Sequence, residues 1–306
     1  MTIAVALCLT RTLSWTAPYR WHPAGTAYGE IASGGRQDAS GTSSHSPNRH
    51  SAPRTFKVGA IDGEPSTAQD LRSVREAFAG VKATFLLKEV GGRVLVDLDP
   101  KRSNTPFSPC STFKIMNSLV GLDTGVLKGT QDKFKWDGVK RERAEANRDQ
   151  TLESAFKDSI VWVYQDVARR IGPVRMQKAL DAAKYGNCDI SGGIDKFWLT
   201  SSLEISPKNQ LAVVESLHTD TLPFSKRAQA TVRELMLQES KVGWEFSGKT
   251  GTGILPDKSR LGWFVGSVKS KGKRYVFVAC IEGPKGTTGY TARTMTLKAL
   301  SSLGSD

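Results

Sequence analysis

The chain has 306 residues, 39% hydrophobic and 24% charged, which fits one large or two intimate globular units with a substantial core. Its formal charge of +13 raises nucleic acid as a partner, but the densest basic runs, "KRERAEANR" and "KSKGKR", hold no interleaved aromatics. With no helix-turn-helix or zinc-finger pattern either, the expectation is an ordinary basic surface and no nucleic-acid partner.

Residues 1–55 differ from the rest. "IAVALCL" lies at the lower limit for a signal-peptide core and is too short to span a bilayer. No Lys or Arg precedes it, so a misassigned start is an equal alternative to an atypical export signal. "SGGRQDASGTSSHSPNRHSAP" reads as disordered linker. Ordered structure is expected from about Phe56. "LRSVREAFAG" has helical spacing, with Leu71, Val74, Ala77 and Phe78 on one face. "ATFLLKEV" and "RVLVDLD" flank Gly91 and Gly92 as a hairpin. A helix opens near "STFK". "QTLESAFKDSIVWVYQDVARRIG" is one helical stretch ending at Gly172 and Pro173, and "GPVRMQKALDAAKYGN" is another, stopped by Gly186 and Asn187. "SPKNQLAVVESLHTD" and "FSKRAQATVRELML" continue the helices. Strands follow in "GWEFSGKTGTG", "LGWFVGSVKS" and "RYVFVACIEG", with "ARTMTLKALSSL" as a closing helix.

Strands at both ends and helices between them predict an α+β architecture. It is a mostly antiparallel sheet, from about 56–110 and 240–306, flanked by helices and carrying an inserted helical part over about 111–239. A site at the seam would draw on residues far apart in sequence.

Cys8, Cys110, Cys188 and Cys280 form no C-x-x-C pair and imply neither zinc nor a disulfide framework. His22, His45 and His50 lie in the leader, and only His218 follows it. A His-based triad or a multi-His metal site therefore lacks its residues, and no metal is expected. Another base is needed. In "SPCSTFKIMNSL", Ser111 and Lys114 share a face if a helix starts at Ser111. The hydroxyl then sits at a helix N-terminus, where free N–H groups favour an oxyanion. Lys114, among Phe113, Ile115 and Met116, loses hydration. That favours a neutral amine able to act as a base or to take up CO2 as a carbamate. Alone, S-x-x-K is a weak signal, and a Ser cap with an exposed Lys is the bland reading.

Three further stretches add weight. Ser159, two residues before Val161 on a predicted buried helix, offers a second hydroxyl. Tyr185 and Asn187 mark a helix stop, which alone is only a turn. "SGKTGTG" puts Lys249 and Thr250 on an edge strand, suited to a carboxylate, with Gly251 and Gly253 permitting close backbone approach to a ligand. It is not a Walker A loop, because Lys249 precedes the glycines.

In this order, S-T-F-K, S-x-V, Y-G-N and K-T-G resemble the class D serine β-lactamases, the oxacillinase group, as do "FKWDGVKR", "NRDQTL", "ARRIG" and "GGIDKFWL". The resemblance runs from about Phe56 to the C-terminus. It implies a penicillin-binding-protein/β-lactamase-like fold and hydrolysis of a small-molecule β-lactam. Ser111 would be the nucleophile, and Lys114, as N6-carboxylysine formed with CO2, the general base; no other cofactor is implied. Ser159 would relay a proton, and Trp198 would donate its indole N–H to the carbamate. Lys249, Thr250 and Arg293 would hold the substrate carboxylate, and the N–H groups of Ser111 and Thr252 would form the oxyanion hole. Val161 and Phe113 would keep the pocket dry. Ala146 stands where many members carry Trp. The family implies a periplasmic or secreted protein, monomer or homodimer, with no membrane span. The rival reading is a penicillin sensor of the same fold, acylated but not turned over. A cell-wall transpeptidase fits the Y-G-N and F-W-L context less well, and a nucleic-acid-binding module ranks last.

Overall fold

The computed structural model describes residues 68–241 and 244–303. The leader, its export signal and the boundary near residue 55 lie outside them. Helix α1 (Ala68–Ala77) buries Val74, and Phe78 just beyond it is buried too, as the spacing predicts, while Leu71 stays 40% exposed. Strands β1 (Lys82–Glu89) and β2 (Val94–Asp97) form the expected hairpin, turning at Gly91 with φ of 74°. A short helix α2 (Pro100–Ser103), capped by Asp99, leads to a 3₁₀ turn at Cys110–Phe113 and then to α3 (Lys114–Asp123). The two-residue strands β3 (Lys133–Phe134) and β4 (Gln150–Thr151) pair apart from the main sheet.

The long helical stretch predicted over 150–172 is two helices, α4 (Leu152–Lys157) and α5 (Val161–Ile171). The break is a Schellman closure. Ile160 N–H donates to the Ala155 carbonyl and Ser159 N–H to that of Phe156, with Ser159 at φ of 57° and Ile160 buried beside it. Glycine usually fills such a left-handed position; Ser159 does so here, so no punctuating residue marked the break. Helices α6 (Pro173–Ala183), α7 (Pro207–His218) and α8 (Lys226–Met236) follow. Strand β5 (Leu237–Lys241) then continues directly from α8, where the sequence pattern had run the helix through Leu237. Strands β6 (Trp244–Ile254), β7 (Arg260–Ser270) and β8 (Lys273–Gly283) and helix α9 (Gly289–Ser302) complete the fold.

The main sheet is antiparallel, in the order β2-β1-β8-β7-β6-β5, so both ends of the described chain build it. Strand alternation supplies two cores. Phe277, Ala279 and Ile281 of β8 join Phe85, Phe264, Leu297 and Leu300 on the face covered by α1 and α9. Val278 and Cys280 face the other way, into the larger core with α3, α5 and α7. The site forms on this second side, where the Cys110 turn packs on β6.

Candidate active site

The α-helix starts at Lys114, not at Ser111, which lies in the preceding 3₁₀ turn. A turn of three residues per revolution aligns i with i+3, and Lys114 Nζ donates to Ser111 Oγ at 3.1 Å. Lys114 is fully buried, and that burial lowers its pKa from 10.5 to about 7, with the Arg143 charge acting in the same direction. The pair thus combines a half-buried hydroxyl with an amine largely neutral just above pH 7. Cys110, beside the hydroxyl, is no rival nucleophile: it is buried, and burial pushes its thiol up.

Gly251 and Gly253 approach this turn closely. A Cβ on Gly251 would meet the Pro109 carbonyl at 3.0 Å and Thr112 Cγ2 at 3.2 Å; one on Gly253 would meet Cys110 Sγ at 2.6 Å. The glycines let β6 lie against the turn that carries Ser111. Gly253→Ala is expected to destabilise the fold by about 1–3 kcal/mol through overpacking and to lower activity with it, measured by urea denaturation and kcat/KM.

Across the site, Lys249 Nζ donates to Ser159 Oγ at 3.0 Å and to the Thr250 carbonyl at 3.1 Å. Ser159 is therefore on the Schellman turn between helices rather than on a helix, with its hydroxyl held by a lysine ninety residues away. Burial and the charges of Lys114 and Arg143 hold the Lys249 ammonium well below its usual range. A neutral Lys114 or an arriving carboxylate relieves that repulsion, so the charge on Lys249 is coupled to both. Strand β6 is interior to the sheet, but β5 pairs with it only up to Ser247. Beyond that residue one side of β6 has no β5 partner, and the expected edge survives locally at Lys249 and Thr250.

Val161 is 38% exposed, so it is not a buried plug over Lys114. Two aromatics that the sequence pattern does not single out lie against the buried lysines. The Lys114 ammonium lies 5.1 Å from the Tyr164 ring centroid, and that of Lys249 lies 5.7 Å from Phe156. Tyr164 is tied to Ser118 Oγ at 3.0 Å, and its carbonyl accepts from Asn117 Nδ2 at 3.1 Å. Its place one helical turn beyond Val161 was the available signal. Phe113 is buried as expected and stacks on Trp198 at 5.3 Å. The indole nitrogen of Trp198 is buried and has no hydrogen-bond partner among the described residues. Such a donor calls for an acceptor.

Tyr185 and Asn187 brace the wall rather than reach the reacting pair. The Tyr185 hydroxyl bonds Gln210 Oε1 at 3.1 Å, and its ring packs edge-on against Phe113. Asn187 Oδ1 accepts from the N–H of Glu204 at 3.0 Å, and its Nδ2 donates to the Ser202 carbonyl at 2.8 Å. Gly186, at φ of 59°, is the residue that admits the Glu204 carbonyl so close. At Ala146 the structure shows a buried residue whose carbonyl accepts from Trp162 Nε1 at 3.0 Å.

Lys249, Thr250 and Arg293 line one cleft of about 480 Å³ with Phe156, Gln238 and Tyr290. Arg293, on α9, donates through Nε to Gln238 Oε1 at 3.0 Å and lies over the Phe246 ring. Thr252 does not line it: its Oγ1 accepts from the N–H of Gly289 at 2.9 Å, fastening β6 to the start of α9. A serine held by a buried lysine, and a second serine–lysine contact whose lysine feels the charge of the first and lines a cleft with Arg293, are components that a serine acyl-transfer site needs.

Residues 52–302 match the penicillin binding protein transpeptidase domain family. The chain is 41% identical over 232 residues to the "Probable beta-lactamase YbxI" of Bacillus subtilis, covering 76% of this chain and 85% of that protein. It is 44% identical over 186 residues to β-lactamase OXA-48 of Klebsiella pneumoniae, 60% of this chain and 69% of the relative. The crystal structure of a class D β-lactamase from Bacillus subtilis superposes with a TM-score of 0.71 at 40% identity, covering 76% of this chain and 95% of that one. The chain belongs to the penicillin binding protein transpeptidase family, in its class D β-lactamase branch.

Proposed function

We propose that this protein hydrolyses the amide bond of β-lactam antibiotics through an acyl-enzyme on Ser111. The observation that carries the reading is the 3.1 Å contact between Ser111 Oγ and a buried Lys114, in a chain of this family. Ser111 Oγ bonds to the β-lactam carbonyl carbon as Lys114 takes its proton. The C–N bond then breaks as the proton on Lys114 is relayed through Ser159, held by Lys249, to the departing nitrogen, which leaves Lys114 free to act again as base. Water, deprotonated at Lys114, releases the acyl group and regenerates the serine. The N–H groups of Ser111 and Thr252 are the proposed oxyanion donors; support comes from β6 packing on the Ser111 turn at Gly251.

A carbamate on Lys114 fits the residues present: a dry amine with its pKa near 7, and the unpartnered indole N–H of Trp198. Bound there, CO2 would supply an anionic base. Lys249, Thr250 and Arg293 are the proposed receivers of the substrate carboxylate, supported by their shared cleft. Lys249→Ala is expected to raise KM for ordinary penicillins about ten- to a hundredfold, the loss of a charge-assisted hydrogen bond, with a smaller fall in kcat because Ser159 loses its donor. Steady-state kinetics check this; unchanged kcat/KM rules the role out.

Export to the periplasm or the medium is part of the same proposal. No helix among the described residues is long and apolar enough to cross a membrane. The test of the function is hydrolysis of a chromogenic cephalosporin by the purified protein. Sustained turnover supports the enzyme, whereas a stoichiometric burst that stops marks a penicillin sensor.

A further inference from the structure

Strand β5 departs from regular pairing where it meets the cleft. Leu237 pairs with Ser247 and Glu239 with Phe246, so Gln238 is an extra residue between them. A bulge of this kind turns one side chain out of the strand's alternation, and bulges gather beside sites where a residue must be aimed. The aimed side chain here makes two contacts. Its amide nitrogen donates at 3.0 Å to the carbonyl of Gly248, the residue before Lys249. Its amide oxygen accepts from Arg293 Nε at 3.0 Å. The amide has only one orientation that works: a backbone carbonyl can only accept, and a guanidinium N–H can only donate. Gln238, Gly248, Lys249 and Arg293 all line the same cleft.

We infer that Gln238 is a positioning residue for carboxylate recognition, fixing Arg293 against the β6 backbone beside Lys249 so that both cations address one anion. Engaging Nε leaves the two terminal guanidinium nitrogens for an end-on fork onto a carboxylate. A neutral amide does this without cancelling the Arg293 charge, which a carboxylate at the same position would. Without Gln238, Arg293 must be ordered at the moment of binding, and that entropy is lost from affinity. The inference rests on the reading of Lys249 and Arg293 as receivers of the substrate carboxylate.

The test compares a penicillin with the same penicillin masked as its methyl ester. Gln238→Ala is expected to raise KM for the free acid roughly three- to tenfold, with kcat for the acid and kcat/KM for the ester each within about twofold of wild type. Gln238→Glu keeps the acceptor toward Arg293 but loses the donor to Gly248 and offsets the Arg293 charge, so it should cost the acid more than Gln238→Ala does, and cost the acid more than the ester. In an Arg293→Ala background, Gln238→Ala should add no further loss. Equal losses on acid and ester would make Gln238 a brace of the sheet edge and overturn the inference, as would full additivity with Arg293→Ala. If Arg293→Ala leaves the preference for acid over ester intact, the carboxylate reading falls and this inference with it. If that preference drops in Arg293→Ala but not in Gln238→Ala, Gln238 alone is misassigned.

Discussion

Ser111→Ala is expected to lower β-lactam turnover by at least about 10⁴-fold, because losing the nucleophile of a coupled constellation removes the covalent route as a whole. What remains is binding and oxyanion stabilisation acting on water. The fold should survive, since Ser111 is half-buried and its hydroxyl contact is with Lys114, whose burial is set by the surrounding aromatics. Cys110 cannot stand in, as its thiol is buried and shifted up. Mass spectrometry of the native protein with a slowly released β-lactam checks the site directly, and an adduct on any residue but Ser111 would falsify the assignment.

Activity is expected to fall as pH drops through about 7, and Lys114 sets the sign. Burial lowers its pKa from 10.5 to about 7, so the neutral amine dominates above that value and the ammonium below it. Only the neutral form can accept a proton or take up CO2. In mildly acidic, CO2-depleted buffer the rate should drop, and bicarbonate should restore it. Lys114→Ala should lose acylation efficiency by about 10²–10⁴-fold, the range for removing a general base, and any acyl-enzyme it forms should persist. Trp198→Ala removes a buried indole donor that has no partner among the described residues, so its activity should depend more steeply on bicarbonate. The decisive measurement is a ¹³C NMR carbamate resonance after loading with labelled bicarbonate. No resonance in active enzyme, with bicarbonate changing neither rate, would leave Lys114 acting as a free amine.

Much of the site was legible because its chemistry needs rare residue types at short range. Ser111 and Lys114 are joined by three-residue spacing alone, and 3₁₀ or α geometry brings them to the same contact. The scarcity of histidine beyond the leader removed the common alternative base. Gly251 and Gly253 were recognisable as points of close approach, but not what approaches them, because that neighbour, the Cys110 turn, lies some 140 residues earlier.

The sequence by itself determined the elements with strong periodicity: the β1–β2 hairpin, the long strands β6 to β8, and the sheet drawn from both ends of the described residues. Alternating apolar residues specify which faces are buried, and turn glycines specify where strands reverse. Only the tertiary structure decided what depends on neighbours distant in sequence. The Ser159 break has no glycine to announce it; its left-handed backbone persists where Ile160 is buried and Lys249 holds the hydroxyl. The state of Lys114 follows the same logic. A lysine is an ordinary exposed cation until Tyr164 and its surroundings, fifty residues further on, take its water away. Strand β5 and its bulge at Gln238 gave no pattern of their own, because a five-residue edge strand continuing straight from a helix is held in place by its pairing with β6.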